Sequence, residues 1–488
     1  MTNKDIKEDI GRATKWSSIT EILSKLISPI VNIFLARLLS PREFGIAATI
    51  TLVITFAEIF TDAGFQKYLI QHEFNDEDEL NKNTNVAFIT NLSFSLFICA
   101  IIFFFRHKIA SLVGSEGLGN SISIASVLII VAAFSSIQMS RFKRSFDFKT
   151  LFVARAGASL IPVVVTIPLA FVMKNYWALI IGNFATQLFT AIILTIKSKW
   201  KPSFFYKFSI LKEMFSFSAW TMLESISIWL TSNIGIFIVG RALNEYYNGI
   251  YKTSMSTVNS YMGIISAAIT PVLFSALSRY QNDEENFKKT YYSFQKLTAT
   301  LIFPMGVGIF LYKELVTSIL LGSQWTEAAG FVGLWGLTSS FTIIFSYFSS
   351  EVYRSKGNPK ISLYAQLLQI AFIVPTLLIA VRYDFTTLYV ARSLVRIQGI
   401  LTSIILMRVI YDFKIPDVIK NVFPMMFASL IMGVCGYGLK MISDNIIWQF
   451  ASVALCAVIY FIVLLGLFPS TRKMLTDANI TKKFIKKP

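Results

Sequence analysis

The sequence predicts an all-α polytopic membrane protein of about 14 transmembrane helices. Two six-helix lobes are related by a parallel pseudo-repeat, and two C-terminal helices follow. Three observations predict this. Of 488 residues, 54% are apolar and only 15% charged, against about 25% in soluble domains, and the mean hydropathy is +0.60. Apolar runs of the ~20 residues a helix needs to cross a bilayer recur along the whole chain, joined by short polar loops. Lysines and arginines crowd alternate loops, the pattern that fixes membrane orientation. The runs are too long and too numerous for a soluble core.

The first run, Trp16 to Leu39, ends at Ser40-Pro41-Arg42-Glu43, and a second, Phe44 to Ile70, follows at once. Pro41 lacks the N–H to continue a helix and pushes Ser40 out of helical dihedrals. So short a turn makes the two helices an antiparallel hairpin. Further spans are expected near 84–106, 118–138, 151–172, 176–196, 217–239, 249–277, 293–313, 327–351, 360–380, 385–407, 418–440 and 446–467. Residues 197–215, rich in lysine and aromatics but too polar to span, suit an interfacial segment.

Charge placement sets orientation. One set of loops holds Lys4, Lys7, Arg12 and Lys15, then Arg141, Lys143, Arg144 and Lys149, then Lys197 to Lys212, and the C-terminal lysines. The opposite loops hold single cations such as Arg42, Lys174, Arg241, Lys313, Arg382 and Lys440. The positive-inside rule then puts both termini in the cytoplasm. The net charge of +17 is thereby a topology and lipid-surface signal, and no nucleic-acid partner is needed to explain it. Met1 to Lys15 is polar, without the apolar core and small-residue cleavage site of a signal peptide. Cys99, Cys435 and Cys456 fall in apolar spans and read as small hydrophobes. His72 and His107 stand far apart, without zinc-ligand spacing.

The chain starts again after residue 200. Trp16, Arg37 and Gly45-Ile46 recur at one offset as Trp220, Arg241 and Gly249-Ile250. Arg144-Ser145 is echoed by Arg354-Ser355 after a small shift. Six spans separate each element from its echo, and an even number makes the repeat parallel. The expected lobes are residues 1–200 and 201–412. Residues 413–488, with spans thirteen and fourteen and a basic tail, lie outside the repeat and read as lipid-facing additions.

Leu39-Ser40-Pro41-Arg42-Glu43-Phe44-Gly45, with Phe60-Thr61-Asp62-Ala63-Gly64-Phe65 and Leu69-Ile70-Gln71 after it, resembles the first-hairpin signature of Wzx-type flippases. These form the polysaccharide branch of the multidrug/oligosaccharidyl-lipid/polysaccharide exporter superfamily. The motif covers the first 70 residues or so; the span count, parallel repeat and two added helices extend the likeness along the chain. The resemblance implies lobes around a central cavity and rocking between inward-open and outward-open states. It implies a bacterial inner-membrane location and a polyprenyl-pyrophosphate-linked oligosaccharide as cargo, moved to the outer leaflet. A polysaccharide polymerase and chain-length proteins are the partners it implies, beside membrane lipids.

The site residues come from physics instead. A charge at the bilayer centre costs about 2.5–3.5 kcal/mol, so each one inside a span needs a reason. Counting ~1.5 Å per residue, Lys25 and Asp62 share one depth of the hairpin, and Glu21 and Lys67 share another. A two-rung charge ladder is expected. Glu58 is left near mid-membrane without a neighbour in the hairpin, a candidate for ion relay or for pairing with a distant cation. Glu224 is treated in the same way. Arg392 and Arg396, one turn apart, share a helix face near the midplane. Guanidinium is the side chain best shaped for phosphate oxygens. Arg392 and Arg396, with Lys25 and Lys252, are the candidate ligands for pyrophosphate and glycan; the alternative is that Glu58, Asp384 or another acid satisfies the arginines. Arg37 and Arg241 snorkel at outer helix ends, while Lys296, Arg155 and Glu351 need no special role. Asn91, Gln138, Asn183, Gln187, Asn233, Gln366, Gln369 and Gln398 line a cavity or join helices.

The chain carries no nucleophile–base set, phosphate-binding glycine loop, metal motif or cofactor motif. It therefore reads as a transporter rather than an enzyme, with Na⁺ or H⁺ as candidate coupling ions. Two rivals stand beside this: a multidrug or cation exporter on the same fold, which would want an acid-rich cavity, and a membrane-embedded glycan polymerase or glycosyltransferase, which would want a sizeable outer loop.

Overall fold

The computed structural model describes residues 3–472 except 63, 359 and 470, with the side chains of 3–15, 17, 18, 21, 22, 62 and 216–221 also outside the described set. Among the described residues, every regular element is a helix. The hairpin forms where Pro41 dictates: α1 (Asn3–Leu38) gives way to α2 (Pro41–Asp62). Pro41 occupies the first position of α2, where a missing N–H is no loss.

The second span is shorter than expected. α2 stops at Asp62, Gly64 turns into the left-handed region at φ 79°, and α3 (Phe65–Gln71) starts as a separate helix. Glycine enters that region without the Cβ penalty of other residues. α3 buries Phe65, Tyr68 and Leu69. Next come α4 (Glu77–Phe104), N-capped by the Asp76 carboxylate, α5 (Arg106–Leu112), α6 (Gly119–Ala125) and α7 (Val127–Arg144). α8 (Phe148–Ile161) runs through a π-helical turn at Pro162–Thr166 into α9 (Ile167–Met173). A proline has no N–H for the regular ladder, which accounts for the widened turn. α10 (Trp177–Lys197) follows.

The expected interfacial segment is split. Residues 198–207 are irregular, with Trp200 buried and Phe204 fully exposed. Residue 208 onward already belongs to α11 (Phe208–Ala242). The chain continues as α12 (Glu245–Arg279), α13 (Glu284–Leu311), α14 (Lys313–Leu320) and α15 (Ala329–Thr342). After a π-helical turn at Ile343–Tyr347 come α16 (Ser349–Ser355), α17 (Lys360–Ala380), α18 (Phe385–Leu394) and α19 (Arg396–Tyr411). α20 (Ile415–Lys440) and α21 (Ile446–Leu467) complete the described chain. Among the described residues, thirteen helices are long and apolar enough to cross a membrane; α1 carries the first expected span beside them.

Packing divides the chain into compact units Met1–Thr253 and Ser254–Pro488. The expected boundaries at 200 and 412 follow the sequence repeat and are a different division. Packing places α11 with the first unit because it lies on α2 and α3, where the Trp229 indole N–H donates to Thr55 Oγ1 at 3.1 Å. In the second unit α20 and α21 pack on α13, and the Tyr460 hydroxyl donates to the Thr300 carbonyl at 2.9 Å. The cysteines are free: Cys456 is buried and Cys99 half-buried, but Cys435 is exposed on the outer face of α20 rather than buried.

Within the first unit α2 and α12 cross backbone against backbone. A Cβ on Gly45 would overlap the Glu245 carbonyl, and one on Gly249 would overlap that of Pro41. One turn along, the buried Asn248 amide donates to Thr49 Oγ1 at 3.0 Å. Gly45 and Gly249 are the two glycines matched by the sequence repeat.

Candidate functional site

In the first unit a polar interior forms around Glu58. Two adjoining cavities, with about 720 and 950 Å³ of open space, share Thr55, Glu58 and Gln187 in their walls. Thr51, Asn183, Thr186 and Thr190 line the first; Ser135, Ser136 and Ser225 line the second. The threonines recur at four-residue spacing on α2 and α10 and so present hydroxyls along one face of each helix. Among the described residues no cation forms an ion pair with Glu58. A carboxylate set among hydroxyls and amides can take up a proton or accept a small cation, since the surrounding oxygens share its solvation.

The charge ladder is only partly within view. The side chains of Glu21 and Asp62 lie outside the described residues, so the Lys25–Asp62 rung is not described; Lys25 itself is half-buried on α1. Lys67 goes elsewhere: its ammonium sits 2.9 Å from the Glu224 carboxylate of α11. Glu224 is thus one member of an ion pair, and both side chains are nearly half exposed. The cause is the break at Gly64. Depth counting assumed one helix through residue 70, whereas α3 leaves the line of α2 and brings Lys67 to α11. Lys252 lies half-buried on α12, and among the described residues it forms no ion pair with a carboxylate.

In the second unit Arg392 and Arg396 flank the slight break between α18 and α19 at Val395. Both guanidiniums lie over the buried ring of Trp335, at 5.0 and 3.9 Å from its centroid. Arg396 donates to Ser339 Oγ at 2.6 Å, and the Trp335 indole N–H donates to Asn259 Oδ1 at 3.0 Å. Asp384 is spent elsewhere, its carboxylate accepting the Thr387 N–H as the cap of α18. Among the described residues no carboxylate pairs with Arg396; an aromatic face and a hydroxyl hold it. Those contacts fix the guanidinium plane while leaving its full positive charge uncancelled.

Most of the polar residues singled out in the sequence fall into three settings. The Asn91 amide donates to Ser136 at 2.7 Å and that of Gln138 to Thr195 at 2.8 Å, joining helices. Asn233 donates to the Trp229 carbonyl within its own helix, and Gln398 to Thr402. Asn183 and Gln187 face the Glu58 cavities. The sequence reading missed Trp335, Ser339 and the threonines of α2 and α10. The threonine spacing was visible in the sequence; the stacking of arginine on Trp335 joins residues about 60 apart and had no local signal. Among the described residues no group of three His, Cys, Asp or Glu is arranged to hold a metal ion.

Helices in this order, long and apolar enough to span and with charged side chains held among polar groups within them, define an all-α multi-pass membrane protein. Residues 34–330 match the family described as polysaccharide biosynthesis protein, and the chain belongs to that family. Teichuronic acid biosynthesis protein TuaB of Bacillus subtilis is 20% identical over 478 residues, 96% of this chain and 98% of that one. Succinoglycan biosynthesis transport protein ExoT of Rhizobium meliloti is 23% identical over 338 residues, 69% and 68% of the two chains. Among solved structures, the lipid II flippase MurJ in an inward closed conformation superposes with a TM-score of 0.75 at 18% identity, covering 93% of this chain and 98% of that one.

Proposed function

We propose that this protein is a flippase that moves a polyprenyl-pyrophosphate-linked oligosaccharide from the cytoplasmic to the outer leaflet of a bacterial plasma membrane, by alternating access and without covalent chemistry. The observation that carries the reading is the Arg392–Trp335–Arg396 cluster. Two guanidiniums near the middle of a membrane span are costly unless they meet anions, and a pyrophosphate supplies two adjacent negative groups of the geometry guanidinium binds best. Lys25 and Lys252 of the first unit are proposed as further cations that attract the pyrophosphate and glycan. An indole beside the arginines also suits a sugar ring, whose C–H face packs on aromatic surface. Family membership and relatives named for teichuronic acid and succinoglycan point to a surface polysaccharide. The fold shared with MurJ is compatible with a lipid-borne cargo.

The remaining parts follow. Both termini lie in the cytoplasm by the charge asymmetry of the loops. Residues 1–200 and 201–412 are the repeated lobes, and the added helices 413–467 flank them. Glu58 and its hydroxyl-lined cavities are the proposed place of Na⁺ or H⁺ coupling, with Asp62 and Glu21 in the adjoining charge network. Lys67 and Glu224 hold α3 to α11 instead. A polymerase and chain-length proteins would take the cargo onward.

The test is the pool of polyprenyl-linked saccharides in cells lacking the gene but keeping the assembly pathway. Complete repeat units accumulating on the cytoplasmic face are the expected result. Truncated units would point to an assembly enzyme instead. An unchanged pool with altered tolerance to small organic cations would point to a drug exporter.

A further inference from the structure

A lysine-lined pocket in the second unit, sharing no lining residue with the Arg392–Arg396 cluster, opens at the N-terminal end of α13 where α20 packs on it. Glu285, Lys288, Lys289, Tyr292 and Lys296 of α13 and Asn421 of α20 surround about 760 Å³ of open space. α13 has 28 residues, more than the ~20 that hydrocarbon requires, so its first two turns stand at headgroup level. Lys296 lies about 12 Å further along than Lys288, a depth from which a lysine reaches back to the interface. Tyr292 sits between them, an aromatic of the kind that marks the membrane–water boundary. The Asn421 amide donates to the Tyr292 carbonyl at 2.8 Å and to Gln295 Oε1 at 3.0 Å, fixing α20 against the pocket.

The charges are unequally used. Lys288 donates to the Asp412 carbonyl at 3.0 Å and lies 3.7 Å from the Glu284 carboxylate and 3.9 Å from that of Asp412. Glu285 is the acid in the wall. Among the described residues neither Lys289 nor Lys296 forms an ion pair. A basic pocket between two spans, open at headgroup level, is the arrangement that receives lipid phosphate.

We infer that this pocket binds the phosphodiester headgroup of an anionic phospholipid, with Lys289 and Lys296 supplying the charge. The inference does not rest on the transport reading. It also gives α20 a task, since Asn421 of that helix closes one wall. The experiment titrates the purified full chain, in neutral detergent, with phosphatidylglycerol and phosphatidylcholine and counts bound lipid by native mass spectrometry. In Lys289→Gln/Lys296→Gln the tightest phosphatidylglycerol should bind about 30-fold more weakly, the factor two lysines supply near an anionic headgroup. Lys289→Arg/Lys296→Arg should keep that binding, and phosphatidylcholine should not respond to either change. If the double glutamine variant fails to fold, Lys289→Gln alone, at an exposed position, should still weaken binding about fivefold. Unchanged phosphatidylglycerol affinity in the glutamine variants would overturn the inference. So would loss of undecaprenyl pyrophosphate binding with phosphatidylglycerol intact, which would make the pocket a place for the cargo.

Discussion

Arg396 shows how one residue can be legible in position and illegible in setting. Its place near the middle of a span, one turn from Arg392, is arithmetic on the sequence; its stacking on Trp335 and its bond to Ser339 required the fold. A guanidinium held by a ring and a hydroxyl keeps its charge for a ligand. Arg396→Ala should therefore weaken binding of a pyrophosphate-linked lipid roughly 10–100-fold, the worth of one or two hydrogen bonds to a charged group. Arg396→Lys should recover only part, because ammonium cannot present a fork or stack in the same way. Binding measured on purified protein separates the two. Glu58 is the parallel case in the first unit, with the threonines around it supplying what the hydropathy pattern hid. If it carries the coupling ion, Glu58→Gln should abolish the response of transport to an imposed ion gradient while leaving cargo binding intact, and Glu58→Asp should retain it. Transport in vesicles with and without the gradient distinguishes these outcomes.

At the level of elements, the spans were legible almost throughout, because run length and the proline at 41 act locally. The exception is α2. Its apolar pattern continues smoothly through Phe60 to Ile70, and hydropathy does not register a left-handed residue. Gly64 at φ 79° ends the helix and redirects Lys67 to Glu224, so the depth-based pairing of Lys67 with Glu21 assumed a helix that stops early. Gly64→Ala should cost about 1–2 kcal/mol, lowering the unfolding temperature and weakening the Lys67–Glu224 contact, measurable by thermal unfolding of the purified chain. Outside the membrane, Glu314 joins α14 to α20. Burial pushes its carboxyl up, but the Lys440 ammonium 3.0 Å away outweighs that and holds it below its ordinary value of 4.5. A depressed carboxyl stabilises the fold above its unfolded value and loses that stabilisation as pH falls through the lower folded value. The α14–α20 contact should accordingly loosen only below about pH 4.5, and Glu314→Gln should remove that pH dependence; unfolding followed across pH 3 to 6 is the measurement.

For the molecule as a whole, composition settled the class, and loop charge offers an orientation that can be tested. A C-terminal green fluorescent protein should fluoresce, and alkaline phosphatase fused within the loop that follows α14, near Gly322, should be active, if that loop faces away from the cytoplasm. The reverse pair of results would invert the topology. The expected repeat rests on few sequence identities, and the packing division at Thr253 had no sequence signal, because which helix leans on which depends on contacts far apart in sequence.

The two glycines at the crossing of α2 and α12 carry one more consequence. In a pair of identical chains, the residues on the symmetry axis touch their own copies. Gly45 and Gly249 are copies of each other by the sequence repeat, and they touch. A duplicated gene that fused two such chains would inherit a contact in which neither half was free to change alone. A methyl group on one partner displaces the backbone of the other, at the ~1–3 kcal/mol typical of overpacking. The Gly-Ile dipeptide common to both echoes thus lies at a backbone contact where either glycine constrains the other.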